Sequence, residues 1–349
     1  MEFESVSKQV SVKTAQGIMN YTIEQRIDPL LKYSSVVCEH LLDKWGDFYG
    51  NRDEKFIEKF VEESRKNCPF CRPVIDKIAA RFLKSQMDEE IVKFNDGENK
   101  SDDVYVFPNI YPRVDFDAVV TMPDVHYLNL DEFNAGILKK FLSAEIGCIK
   151  KAYNKNKDLT YANIGWNYMF PSGASLTHLH MQIAMRDNPF SYIALLINAS
   201  KEYKKSTGGN YWEDLMKQKS KRKIFSNKQI YIYAPFAPRG FSEVRGVVNK
   251  PNLAEINDED IREISIAMGK ILNYYHEEGF SSFNFAMFSD RINNSNSSLP
   301  VSFSIYARPS PREVYMNIDT WFMPFLLQEC IVLEKPENLA KKLREKFKF

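Results

Sequence analysis

Thr177-His178-Leu179-His180-Met181-Gln182-Ile183 is the stretch of this 349-residue chain best equipped for chemistry. Read at period two, Leu179, Met181, Ile183 and Met185 point to one side, into a core, while His178, His180 and Gln182 point to the other. Same-face neighbours on a strand sit about 6.5 to 7 Å apart, so one imidazole can serve a metal while the next serves a substrate. The solvated face of an ordinary amphipathic strand draws on Lys, Glu and Thr. This face instead holds two of the chain's five histidines.

A second cluster is Asn67-Cys68-Pro69-Phe70-Cys71-Arg72-Pro73. A two-residue gap lets a turn present both thiolates to one ion at about 2.3 Å, half of a zinc site; a redox pair or two unrelated buried thiols has the same spacing. The other cysteines, Cys38, Cys148 and Cys330, are scattered. An odd total of five does not make a disulfide framework. His40 and His276 read as structural, the latter favoured by its place late in a helix.

The elements that must position these groups follow from the hydrophobic pattern. Short alternating segments at 10–13 and 23–27 precede a break at Asp28-Pro29, and 34–37 resumes a strand. An amphipathic helix over 53–66 carries Phe56, Ile57, Phe60 and Val61 on one side. Strands are expected at 104–106, 118–121 and 161–169, a helix at 131–153 with Cys148 in its core face, and the active strand follows the turn Pro171-Ser172-Gly173-Ala174-Ser175. Beyond a polar helical stretch at 190–228 come strands at 229–235 and 242–248, a helix at 258–276, strands at 281–289 and 301–308, and a closing helix at 336–347. The length suggests two domains, 1–189 and 190–349.

Composition narrows the setting. With 44% hydrophobic and 13% aromatic residues the chain is globular, and no apolar run reaches bilayer length. The N-terminus lacks the apolar core of a signal peptide, which makes a cytoplasmic protein the expectation. Basic and acidic residues number 47 and 46, a net charge of +1, so no global field favours nucleic acid or membrane. The basic run at 217–223 reads as a solvated linker.

The order strand, strand, helix, strand, strand occurs twice. Val119-Val120-Thr121-Met122-Pro123-Asp124 matches Val247-Val248-Asn249-Lys250-Pro251-Asn252, and 182–189 matches 304–311 with a second copy about six residues shorter in between. On these offsets His126 falls opposite Ala254, His178 opposite Pro300, His180 opposite Ser302 and Gln182 opposite Ser304. The second copy loses every histidine at once, so the first is expected to carry the reaction and the second to supply scaffold or pocket wall.

His178-Leu179-His180-Met181-Gln182, with Asn167, Gly173 and Ser175 upstream, resembles the galactose-1-phosphate uridylyltransferase family of the histidine triad superfamily. Cys68-Pro69-Phe70-Cys71, Pro123-Asp124-Val125-His126 and Arg26-Ile27-Asp28-Pro29-Leu30 are similar to further landmarks of that family, in the same order. The resemblance implies an α+β fold of tandem histidine-triad-like domains, antiparallel sheets with packed helices, in a homodimer. It implies nucleotidyl transfer in two displacements: His180 attacks the α-phosphorus of a nucleoside diphosphate sugar, and a sugar 1-phosphate then takes the nucleotidyl group from the histidine. A neutral imidazole is a competent nucleophile near pH 7. Gln182, Ser175, Asn167 and backbone N–H groups around Gly173 are the expected charge-stabilising donors, and Asn109 a substrate contact. Glutamine at the third motif position is similar to the transferases and phosphorylases of the superfamily rather than its hydrolases. The resemblance further implies one structural zinc per chain on Cys68, Cys71, His126 and His178.

Departures from the family pattern are Leu179 in place of proline, a bulkier Met181, Ile110 where some members carry aspartate, and no histidine cluster in the second copy. A hexose-contacting segment is expected near 321–329. Two other functions fit the same residues: a phosphorylase that uses inorganic phosphate on a nucleoside diphosphate sugar or a dinucleoside polyphosphate, and a non-catalytic, zinc-stabilised nucleotide-binding protein.

Overall fold

The computed structural model describes residues 2–44, 46, 51–95, 103–313 and 320–348. The chain opens on a hairpin of β1 (Glu4–Thr14) and β2 (Gly17–Ile27), followed by β3 (Ser34–Val37), α1 (Glu54–Arg65) and the short α2 (Ile75–Ile78). The first copy then runs β4 (Val92–Phe94), β5 (Val104–Pro108), β6 (Phe116–Thr121), α3 (Ala135–Lys155), β7 (Tyr161–Tyr168) and β8 (His180–Arg186). Two helices, α4 (Ser191–Thr207) and α5 (Tyr211–Lys217), lead to the second copy: β9 (Lys223–Ser226), β10 (Ile230–Tyr233), β11 (Val244–Val248), α6 (Asp258–Glu277), β12 (Ser282–Phe288) and β13 (Ser302–Arg308). The chain closes with α7 (Phe322–Leu326), β14 (Cys330–Val332) and α8 (Pro336–Phe347).

Ten strands form one antiparallel sheet in the order β4-β5-β6-β8-β7-β12-β13-β11-β10-β9. Read inward from either edge the two halves have the same order, so the expected duplication is present as two equivalent five-stranded units. They meet where β7 pairs with β12, from Phe283 opposite Tyr168 to Phe288 opposite Asn163. The fold class is α+β, as expected.

One face of the sheet buries the core. Met181, Ile183 and Met185 of β8 are fully buried, and α3 and α6 lie over this face with Phe141, Leu142 and Ile149 from one and Ile264, Met268 and Leu272 from the other inside. At the seam Trp166, Tyr168 and Phe283 enclose Phe133, with ring centroids 5.2 to 6.3 Å apart. Such pairs add about 0.5 to 1.5 kcal/mol each beyond their buried area.

The opposite face is treated differently in the two halves. Over the second half α4 and α5 pack Ile193, Leu196, Trp212 and Leu215 against Tyr231, Tyr233, Val247 and Phe288. Over the first half no such pair of helices intervenes among the described residues, and a cleft remains. One copy is therefore open for chemistry and the other is covered.

Three expectations are corrected in detail. The helix predicted over 131–153 begins at Ala135, because the Asn134 side chain accepts from the Ile137 N–H and caps it there; a separate 3-10 turn, Leu130–Glu132, comes first. The shortening of the second copy lies before its helix. Eight residues separate Thr121 from Leu130, whereas four separate Val248 from Leu253, the start of the equivalent turn. His126 sits in that longer loop, so it has no counterpart; Ala254 belongs to the turn instead. His180 and Gln182 do occupy the strand positions of Ser302 and Ser304.

The basic run is not a solvated linker throughout. Lys223 opens β9, and Arg222 is largely buried, 3.2 Å from Glu337 of α8 and 4.2 Å from the centre of the Phe3 ring. No helix among the described residues is long and apolar enough to cross a membrane.

Candidate active site and metal centre

Cys68 and Cys71 sit on a turn just past α1, where the Cys68 N–H donates to Arg65 and the Cys71 N–H to the Cys68 carbonyl. The turn faces the loop after β6, which carries His126, and the lead-in to β8, which carries His178. A hydrogen bond from the Leu179 N–H to the His126 carbonyl (2.9 Å) ties these last two together. Arg72 braces the turn from outside, donating to Asp124 (2.6 Å) and to Asp103 and Tyr105 (each 3.0 Å).

The ligand atoms of Cys68, Cys71, His126 and His178 all lie within 4.8 Å of one another. His178 Nδ1 is 3.3 Å from both sulfurs and 3.2 Å from His126 Nδ1, and Cys71 Sγ is 3.3 Å from His126 Nδ1. A tetrahedron with the usual zinc bond lengths has edges of roughly 3.3 to 3.6 Å between such atoms. The cluster can therefore hold a metal ion.

Outer hydrogen bonds set the tautomers. His178 Nε2 faces the Met122 carbonyl at 3.1 Å and must donate, which leaves the Nδ1 lone pair for the cluster. Ser64 Oγ donates to the Val61 carbonyl, so His126 Nε2 donates to Ser64 (2.9 Å) and its Nδ1 is likewise free. Burial lowers the pKa of His178 to about 3 and that of His126 to about 4, so both rings are neutral. Burial, then the adjacent Cys68, pushes the Cys71 thiol up to about 12. A divalent cation held at the centre would reverse that penalty by binding the thiolate.

His180 lies beyond the cluster, 7% exposed. Its Nδ1 is 2.7 Å from the His178 carbonyl and donates to it, so the lone pair is on Nε2. Burial lowers its pKa, opposed by that hydrogen bond. Phe70 holds the rings of His178 and His180 edge to face, at 5.9 and 5.6 Å. His180, Gln182, Ser175 and Asn109 line one cleft of about 330 Å3, whose apolar wall includes Phe70, Phe107 and Val119. Ile110 and Tyr111 form its exposed lip.

Of the other expected site residues, Asn109 lines this cleft, and Asn167 and Gly173 are not among its lining. Asn109 is held by its own loop: Oδ1 accepts from the Tyr111 N–H (3.0 Å) and Nδ2 donates to Asp117 (3.3 Å). Asn167 accepts a 2.7 Å hydrogen bond from Asn284, which also donates to the Ser172 carbonyl. Gly173 has φ +88° and supplies a left-handed turn that a side chain would strain; its N–H is committed to the Phe170 carbonyl, so it is not a free donor.

Arg113 was not singled out by the sequence. Its Nε and Nη2 clamp the buried Asp117 at 2.9 and 3.0 Å, and Nη2 also donates to Gln182 Oε1 at 2.9 Å. A guanidinium offers no acceptor, so the Gln182 carbonyl must face it and the amide NH2 is turned away. The available signal was Arg113 four residues before an aspartate on a strand that otherwise reads as apolar.

No protein-family model matches the chain. An uncharacterized protein of Archaeoglobus fulgidus is 28% identical over 351 aligned positions, which span 99% of this chain and 98% of that one. The fold is the one shared by uridylyltransferases and their GalT-like relatives. An ADP-glucose phosphorylase of Arabidopsis thaliana, solved with bound ADP-glucose, is similar at a TM-score of 0.69 and 18% identity over 93% of this chain and 98% of its own. A GalT-like protein of the same plant gives a TM-score of 0.68 at 18% identity with the same coverage. A uridylyltransferase gives 0.62 at 19% identity, over 72% of this chain and 86% of its own.

Proposed function

We propose that the protein is a nucleotidyltransferase that moves a nucleoside monophosphate from a nucleoside diphosphate sugar to a phosphorylated acceptor through a covalent intermediate on His180. The observation that carries this is the orientation of His180: a neutral ring whose Nδ1–H is held by a main-chain carbonyl, with Nε2 at the wall of a nucleotide-sized cleft.

In the first displacement the Nε2 lone pair forms a bond to the α-phosphorus, and the bond from that phosphorus to the bridging oxygen breaks. The sugar 1-phosphate leaves with the electron pair. The imidazolium formed keeps its Nδ1 proton on the His178 carbonyl, which stabilises the positive charge. The acceptor's phosphate oxygen reverses the sequence. Gln182, oriented by the Arg113–Asp117 pair, presents its NH2 to the phosphoryl oxygens. Phe70, Phe107 and Tyr111 offer aromatic surface to a base.

Cys68, Cys71, His126 and His178 would hold a structural zinc ion, whose chemistry is to fix four side chains with no open coordination position. His178 would then be immobile on its ring side while its carbonyl orients His180 two residues along. On this reading 1–189 and 190–349 divide the labour, each built on one five-stranded unit, and the first carries the reacting groups.

A sugar 1-phosphate is the expected acceptor. Inorganic phosphate is the second candidate, since the same histidine and glutamine would serve a phosphate whether or not a sugar is attached. The likeness to an ADP-glucose phosphorylase fold makes both acceptors worth testing.

Incubation with UDP-glucose or ADP-glucose should leave a nucleotidyl mass on a peptide containing His180. His180→Gln should abolish the adduct with metal content unchanged. Active protein that never carries the adduct would falsify the mechanism. Release of the nucleotidyl group by hexose 1-phosphate but not phosphate identifies a transferase, and the converse a phosphorylase.

A further inference from the structure

The seam between β7 and β12 sets Asn284 opposite Asn167. Asn284 belongs to the second unit, yet both protons of its side-chain nitrogen are spent on the first. Nδ2 donates to the Ser172 carbonyl at 2.8 Å and to Asn167 Oδ1 at 2.7 Å. A main-chain carbonyl only accepts, which fixes the nitrogen of Asn284 on that side; the Asn167 atom that meets the same nitrogen must then be its oxygen. The NH2 of Asn167 is turned away and has no partner among the described residues.

Register places that NH2 beside the reacting histidine. Gly165 is opposite Gln182, so Gly165 and, two residues on, Asn167 share the side of the sheet that holds Gln182 and His180. The β7–β8 ladder ends at that pair, but the second unit continues it, with Ala286 opposite Ser304 and Phe288 opposite Ser302. Ser304 and Ser302 are the equivalents of Gln182 and His180. Ala286 and Phe288 are therefore those of Gly165 and Asn167, and Asn167 is level with His180. In a regular ladder such neighbours have Cβ atoms about 5 Å apart. β8 lies between β6 and β7, so Asn167 flanks His180 from the side away from the cleft's apolar wall.

The fold does not require this brace. The equivalent of Asn284 in the first unit is Asn163, which the seam sets opposite Phe288. Asn163 makes no side-chain hydrogen bond among the described residues, and Phe288 is packed under α4. Related positions of one seam thus carry a bonded pair of amides on the open half and an amide against a ring on the covered half.

We propose that Asn284 is a positioning residue for the transfer on His180, a role that rests on the mechanism given above: it holds the Asn167 carboxamide with its NH2 toward the phosphoryl oxygens. An unbraced carboxamide presents oxygen as readily as nitrogen, and an oxygen there opposes the charge that develops in the transition state. A braced one is a donor already in place. The second unit then takes part in the reaction across the seam, without touching the substrate through this residue.

The rate of adduct formation on His180, in single turnovers of the whole chain with UDP-glucose and ADP-glucose, tests this. Asn284→Leu, close in volume, should slow the saturated rate about tenfold, the equivalent of one neutral hydrogen bond, with metal content unchanged. The donor concentration at half-maximal rate should move less than about twofold, because the interaction is made in the transition state. Asn284→Asp should slow the rate about 100-fold, since a carboxylate draws the Asn167 NH2 to itself and turns its oxygen on the phosphoryl group. In an Asn167→Ala background, Asn284→Leu should cost less than about twofold; a brace that served only the turn at Ser172 would cost the same in either background. A wild-type rate in either Asn284 variant, or equal losses in both backgrounds, overturns this proposal and leaves the transfer mechanism standing. A wild type that forms no adduct removes both.

Discussion

At the scale of single residues, His178 joins two kinds of chemistry. Its ring belongs to the cysteine cluster, and its carbonyl sets the tautomer of His180. His178→Asn and Cys71→Ser should both lose bound metal by elemental analysis and lower the melting temperature, whereas His180→Gln should do neither. Arg113 works on the other motif residue. Arg113→Met removes a charge-assisted hydrogen bond of about 1.5 to 3 kcal/mol, so kcat/KM should fall about 10- to 100-fold, and the melting temperature should fall as well because the buried Asp117 carboxylate loses its guanidinium. Glu145 lies outside the site: fully buried, with neither carboxylate oxygen partnered among the described residues. Burial holds its carboxyl well above the ordinary range. The unfolded chain ionises this group near pH 4.3 while the folded chain resists, so it depresses stability increasingly as pH rises above that value. Glu145→Met should raise stability by about 1 to 3 kcal/mol at neutral pH and flatten that slope in a series of thermal melts.

At the scale of elements, the main strands and helices were legible because their periodicity is strong: β8 alternates over seven residues, and α6 carries an inward row from Ile261 to Tyr275. β4, α2, α7 and β14 were not, being three to five residues long, too short for a period to register. The Cys/His cluster was visible only through resemblance, since its ligands come from three separated segments that no spacing rule connects. The Arg113–Asp117–Gln182 chain was hidden for a related reason. Its members lie on a loop and two neighbouring strands, and their contact depends on the β6·β8 register, which sets Val119 opposite Gln182. The second copy's offset was read correctly along β13 but two residues out along β11, where Val247, opposite Ser302, is the equivalent of Thr121, opposite His180, and not of Val119; at His126 it failed because an insertion in a loop leaves no hydrophobic trace.

At the scale of the whole molecule, Glu337 of α8 fastens the C-terminus to the beginning of the chain and to the approach to β9. Arg26 Nη1 donates to both its oxygens at 3.1 and 3.0 Å, and Arg222 lies 3.2 Å away. Burial opposes its ionisation, but the two guanidiniums win and hold its carboxyl below the usual range. This stabilisation is present above about pH 4.3 and fades as pH falls through the folded value, opposite in sign to Glu145. Glu337→Ala takes the carboxylate from the largely buried Arg222 and leaves Arg26 with Glu24 alone, and should cost about 3 kcal/mol, seen as a lower midpoint in urea. The seam between β7 and β12 has a mechanical consequence. Six residue pairs and a knot of aromatic rings weld the two units into one plate, so the protein has no hinge along this line with which to bite down on a substrate. If the proposed transfer takes place in this cleft, admission and release fall to its rim, to Phe70, the 109–113 loop and the 170–176 turn, and the speed of those short segments, rather than any rocking of halves, would be the natural ceiling on turnover.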